Sequence, residues 1–138
     1  MTNAIKKFSG LFIAALLVTS LGFARDANDR IIEKSREAVD QAGPHDWEIL
    51  AESAEKCIQK NINVDEALEW LDKSIEINPN KYNLTLKGDY YLNKKFPDEA
   101  IIYYLKAAEI TTADSHKVSV ADTQEKIKKA LELKKQGF

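Results

Sequence analysis

One stretch of this chain occurs twice. Asp65-Glu66-Ala67-Leu68-Glu69-Trp70-Leu71-Asp72-Lys73-Ser74-Ile75-Glu76-Ile77 aligns with Asp98-Glu99-Ala100-Ile101-Ile102-Tyr103-Tyr104-Leu105-Lys106-Ala107-Ala108-Glu109-Ile110. Asp, Glu, Ala, Lys, Glu and Ile recur at a constant offset of 33 residues, as from Ala67 to Ala100. A period of this length belongs to architectures in which one supersecondary unit is used again, and each unit buries its apolar side only by stacking on the next. Within each copy the apolar residues fall at i, i+1, i+4 and i+8: Ala67, Leu68, Leu71, Ile75, and Ala100, Ile101, Tyr104, Ala108. That is one stripe of a 3.6-residue period, so each copy reads as an amphipathic helix. Acids lead each helix and a lysine follows two turns later, as the helix dipole favours. Asn63, three residues before Glu66, is expected to cap the first copy, and Pro97 suits the first turn of the second, where its missing N–H is no loss.

A further helix precedes each copy. Trp47, Leu50, Ala51, Ala54, Cys57 and Ile58 form one apolar face; Leu84, Gly88, Tyr91 and Leu92 form the equivalent one. Gly88 is the exception to helical preference, since a mid-helix glycine costs about 1 kcal/mol against alanine. Close approach of the paired helix is the expected reason for it. Pro44, Pro79 and Pro97 all lie between helical patterns, and no segment alternates apolar and polar residues as a strand does. The middle of the chain is therefore expected to be two helical hairpins, 46–80 and 81–113.

These residues resemble the tetratricopeptide repeat. In that family a small residue lies twelve positions before the alanine that opens the second helix, the spacing of Gly88 to Ala100. Tyr91, Tyr104 and Ala107 also fall on family positions, and Pro79 in Ile77-Asn78-Pro79-Asn80 matches the proline that closes a repeat. The resemblance covers roughly residues 47–113, an extent of about two repeats. In the first hairpin Glu55 takes the glycine position and Ala51 the aromatic one. Ankyrin repeats have the same period, but their Thr-Pro-Leu-His signature is absent. The resemblance implies an all-α fold: a short right-handed α-α superhelix of about six helices once capping elements are added at both ends.

The ends supply those elements. Ile31, Ile32, Ser35, Ala38, Val39 and Ala42 make a helical stripe closed by Gly43 and Pro44, expected as an N-terminal capping helix over 25–43. Ser119 and Asp122 form a capping pair at the start of a lysine-rich helix within 116–136, whose apolar stripe is Val120, Ile127, Ala130 and Leu131. Before all of this, Lys6 and Lys7 precede an apolar run to Phe23, then Gly22-Phe23-Ala24 and the charged Arg25. That is the layout of a secretory leader over 1–24, with cleavage after Ala24 and a periplasmic or secreted mature chain. The run is short and interrupted for a membrane span, which needs about 20 apolar residues.

Composition narrows the function classes. The 20 basic residues include Lys6 and Lys7, so the chain from Arg25 onward has 18 bases against 22 acids, a formal charge of −4, and gives no electrostatic reason to expect nucleic acid. Cys57 is the only cysteine and is expected to be a small buried residue. His45 and His116 have no partner at metal-ligand spacing, no nucleophile–base arrangement appears, and there is no phosphate-cradling loop. The sequence therefore predicts no enzyme, no cofactor and no metal. Lys126, Lys128, Lys129, Lys134 and Lys135 are read as a solvated helix face, with membrane-surface contact not favoured. Asn83-Leu84-Thr85 matches a glycosylation triplet, a pattern common by chance.

What remains is binding. The resemblance implies a concave surface lined by the first helix of each hairpin. Here that is Glu52, Ser53, Lys56, Gln59 and Lys60 in the first, and Tyr82, Leu86, Asp89, Leu92 and Asn93 in the second. Members of the family that grip a terminal carboxylate do so with lysine, arginine and asparagine; this chain has Lys56 and Lys60 at one end and Asp89 where asparagine is expected. Tyr82, Leu86 and Leu92 point instead to a partly apolar groove for an extended or helical protein segment, while Leu86 and Leu92 also suit the margin of a core. The expectation is an adaptor that holds another protein on this face. The alternative is a structural module that self-associates through its helical ends.

Overall fold

A computed structural model describes residues 25–110 and 118–138. The leader predicted over 1–24, His116 and the start of the C-terminal capping segment lie outside the described residues. Those described form six helices and no strand, with 81% of them helical. Helix α1 covers 25–41, followed by α2 (Trp47–Lys60), α3 (Val64–Ile77), α4 (Lys81–Asn93), α5 (Pro97–Glu109) and α6 (Val120–Lys135). The chain is all-α, as its periodicity requires.

Two short turns make the hairpins. Between α2 and α3 the backbone enters the left-handed region twice, at Asn61 (φ 52°) and Asn63 (φ 46°), where asparagine is tolerated better than most residues. Asn63 does not cap α3 in the way its position suggests. In that left-handed conformation its side chain bonds no helical N–H, and its amide instead donates to Glu66 Oε2 at 2.6 Å. Between α4 and α5 the left-handed residue is Lys95 (φ 63°), and Pro97 opens α5 as predicted. Connections this short place each pair of helices antiparallel.

Small side chains let the helices meet. Ala51, Ala54, Ala67, Ala100, Ala107 and Ala130 are fully buried. The first core gathers Leu50, Ala54, Cys57, Ala67, Trp70 and Leu71 from the first hairpin, and Leu86 of α4 enters it from the second. Cys57 lies in this core with its thiol donating to Ser35 Oγ of α1 at 3.9 Å, and burial pushes the thiol pKa up. The second core joins Ala100 and Tyr104 of α5 to Ala130 of α6.

Helices α1 and α6 pack on the two hairpins from either end. On α1, Ser35 is buried and Ile31 and Val39 pack on the first core; Arg36 makes a bidentate contact with Glu66 at 2.7–3.1 Å. Arg36 and Asn63 together hold the Glu66 carboxyl below the usual carboxylate range. At the other end Ser119 and Asp122 form the predicted capping box of α6. The stripe that α6 buries is different, however. Thr123 and Ala130 are buried and Ile127 partly so, while Val120 and Leu131 stand exposed. The two small residues allow a closer approach to α5 than a face led by valine and leucine.

Helix α4 sits at the centre, with Lys81 and every residue from Asn83 to Gly88 buried. Two of its polar side chains are bonded into the neighbouring hairpin. Lys87 Nζ lies 2.7 Å from Asp72 Oδ1 of α3, and Asn83 Nδ2 donates to Ser74 Oγ of α3 at 3.1 Å. Asn83 also completes a reciprocal capping box with Asn80, so the triplet it begins is shut away from solvent in the folded chain.

Candidate partner-binding surface

Helices α2, α4 and α6 line one face, and between them runs a trench. Its middle section, about 300 Å³, has Ile58 and Gln59 of α2 on one wall, Leu86, Tyr90 and Leu92 of α4 as floor, and Lys126 and Lys129 of α6 on the other wall. A second section of about 240 Å³ continues past Asn61 and Val64 at the turn of the first hairpin. A third of about 410 Å³ runs between Lys95 and the Leu133 side of α6. Asn93 borders all three. It is the point where the sections meet.

Five of the residues expected on this face border the trench: Gln59, Leu86, Asp89, Leu92 and Asn93. Leu86 does so only as floor, being 7% exposed and part of the first core. Glu52 lies on the same stripe of α2 as Glu55 and Gln59, three residues before the former. Tyr82, one turn further up α4, donates its hydroxyl to Glu55 Oε2 at 2.7 Å. Burial, reinforced by Glu55, pushes the Tyr82 phenol far up, so it stays a donor. Lys56 and Lys60 are exposed but do not border the trench. Each stands one residue, about 100°, round the helix from Glu55 and Gln59. Ser53 is buried.

The two acids of the middle section already have donors, whereas Glu132 on the third section has none among the described residues. Glu55 accepts from Tyr82 and from Gln59 Nε2 at 3.1 Å. Asp89 accepts from Tyr104 Oη at 2.8 Å and from Lys126 Nζ at 2.6 and 2.8 Å. Burial first and the Asp89 charge second push the Tyr104 phenol far up, so this donor too is permanent. Among the described residues, the Asn93 amide and the Lys129 ammonium hold no hydrogen bond or ion pair. The trench thus offers an apolar floor, an amide that can both donate and accept, the Lys129 ammonium, and in its third section the Lys95 ammonium and the Glu132 carboxylate.

Sequence reasoning missed the third wall. Lys126, Lys129 and Leu133 recur at i, i+3 and i+7, a stripe of α6 distinct from the one facing α5. The predicted lysine face is accordingly divided. Lys126 binds Asp89, Lys134 binds Asp98 at 2.5 Å, Lys129 faces the trench, and Lys128 and Lys135 point to solvent.

Among the described residues no group of three His, Cys, Asp or Glu side chains comes together at metal-binding distance, and no helix is long and apolar enough to cross a membrane. Compared with known protein families, with characterised proteins and with solved structures, the chain matches none.

Proposed function

We propose that this chain is an exported, non-enzymatic adaptor of tetratricopeptide type, which holds a segment of another protein in the trench lined by α2, α4 and α6. The observation that carries the reading is the composition of that trench: Leu86, Tyr90 and Leu92 along its floor, with the unpaired Asn93 amide and Lys129 ammonium above them. An extended segment presents backbone C=O and N–H groups alternately with side chains. One carboxamide satisfies such a backbone while the apolar floor takes the side chains, a division of labour common to peptide-binding grooves.

Site-specific photo-crosslinking tests this reading. A photoreactive side chain in place of Asn93 is expected to capture a partner from an envelope extract, and one in place of the distant Lys73 is not. Asn93→Arg, which fills the junction of the three sections, should abolish capture by a probe placed at Gln59 and leave the helical circular dichroism unchanged. Equal capture from Asn93 and Lys73 would remove the trench from consideration.

Export rests on the leader read over residues 1–24. Mass spectrometry of the protein recovered from its native envelope should find Arg25 as the N-terminal residue. A chain that begins at Met1 defeats the prediction. A self-associating structural module is the second reading, favoured by the exposed Ile102, Leu105 and Leu131 at one end of the stack. Concentration-dependent sedimentation that Leu131→Lys eliminates would select it over the adaptor.

A further inference from the structure

Helix α6 is held differently from the helices it joins. Thr123 and Ala130 are its buried residues, with Ile127 partly buried beside them. Apolar stabilisation scales with the area removed from water, and the first two contribute little more than a methyl group each. The hairpins bury larger side chains: Leu50, Cys57, Trp70 and Leu71 in the first, Leu84 and Tyr104 in the second. The Asp98–Lys134 ion pair joins the start of α5 to the end of α6, so these two run antiparallel and α6 runs parallel to α4.

Thr85, Asp89 and Leu92 follow at i, i+4 and i+7 on α4 and so share one face. Asp89 binds Lys126, and Leu92 packs on the core that contains Ala130, so this face is turned to α6. On it the Thr85 hydroxyl is buried without a hydrogen-bond partner. Thr123, three residues before Lys126, stands at the level of Thr85 but donates its own hydroxyl to the Ser119 carbonyl at 3.1 Å. Docking of α6 therefore takes the Thr85 hydroxyl from water and returns nothing, which opposes the contact. The Asp98–Lys134 pair is mostly exposed and holds the helix weakly. Lys126 is the stronger tie, yet Asp89 keeps the Tyr104 hydroxyl when Lys126 leaves. We infer that α6 detaches as a unit from the α4–α5 hairpin, in a minor state in which both hairpins stay folded. Detachment returns Thr85 to water and takes Lys129 and Leu133 away from the trench, which then lacks its third wall. A segment laid along Leu86, Tyr90 and Leu92 enters while the wall is away and is enclosed when it returns. That consequence rests on the adaptor reading; the detachment itself does not.

Residue-resolved hydrogen exchange of the purified chain, in urea below the unfolding transition, tests the inference. The hydrogen-bonded amides of α6 should share one protection factor, about a hundredfold or more below the best-protected amides of α3 and α4. Thr85→Val keeps the shape of the side chain and removes the hydroxyl, and it should slow exchange throughout α6 by about tenfold. Lys126→Met, which removes the stronger tie, should speed the same amides by about fivefold. Four results would overturn the inference: α6 amides that exchange only with global unfolding, protection that declines step by step toward Lys135 as in fraying from the end, exchange of α6 in Thr85→Val no slower than in the native chain, or exchange of α6 in Lys126→Met no faster. None of these measurements involves a partner, so each leaves the adaptor reading to the crosslinking at Asn93.

Discussion

Replacing Gly88 by valine should lower the stability of the chain by about 3 kcal/mol, in the upper part of the range for forcing extra carbons into a packed core. A Cβ at this position would lie 2.4 Å from Tyr104 Cε1 and 2.6 Å from Cδ1. The ring has nowhere to go. Tyr104 is fully buried, and its hydroxyl is tied to Asp89, which is itself tied to Lys126 of α6. Moving the ring therefore pulls on three helices. Alanine is the more informative substitution, because two effects of opposite sign compete. It relieves the helix-propensity cost of glycine, about 1 kcal/mol, but meets the same ring atoms. The clash should win, giving a net loss of about 1 kcal/mol in a urea melt with the slope unchanged. Placed in a Tyr104→Leu background, where the ring is gone, Gly88→Ala should become stabilising. An alanine variant as stable as the native chain in the original background would show that α4 and α5 do not meet as described.

That contact was legible in the sequence, because a glycine inside a strong helical pattern needs a reason and the paired helix supplies one. The two hairpins, the Pro97 start of α5 and the Ser119–Asp122 box were legible for similar reasons, each being local chemistry. What could not be read came from choices between faces. Val120 and Leu131 outrank Thr123 and Ala130 on any hydrophobicity scale, yet α6 turns the smaller pair inward. Close approach depends on size, and Lys126 reaches Asp89 only from that rotation. The same rotation brings Lys129 to the trench and leaves Leu131 exposed, an orientation that no periodicity encodes. Leu86 was readable either as groove or as core, and it serves as both, a core side chain whose outer edge floors the trench. The resemblance to the tetratricopeptide repeat puts Lys56 and Lys60 on the concave face, but they do not border the trench. A shift of one residue on a helix is enough to carry a side chain out of it.

The joint between the hairpins should depend on Asn83 more than on any other polar residue. Ser74 Oγ donates to the carbonyl of Trp47 at 2.7 Å and accepts from Asn83 Nδ2 at 3.1 Å, which links α2, α3 and α4 in series. The same amide donates to the Asn78 carbonyl at 2.9 Å, and its oxygen accepts from Asn80 N at 3.0 Å. Asn83→Ala removes the three bonds to Ser74, Asn78 and Asn80 at once, from a residue with no exposure to solvent. Each group left without a partner costs about 1–3 kcal/mol where water does not reach it, and water reaches the Asn78–Asn80 turn in part. A loss of about 3 kcal/mol is the outcome to expect, against about 1 kcal/mol for Ser74→Ala, which removes one donor and one acceptor. Asn83→Asp separates the amide from the acceptor. It keeps the oxygen that receives Asn80 N but sets a second oxygen against Ser74 and the Asn78 carbonyl. Burial without a donor raises the folded-state pKa of that carboxyl above the unfolded value of about 3.9, so the folded form binds the extra proton. Stability of the variant must then rise as pH falls from 7 through the folded-state value, and level off once the unfolded carboxyl is protonated too. Chemical melts of Asn83→Asp at pH 7 and pH 4, compared with the native chain at each pH, check this. A variant no better off, relative to the native chain, at the lower pH would mean that the Asn83 amide does not hold the two hairpins together.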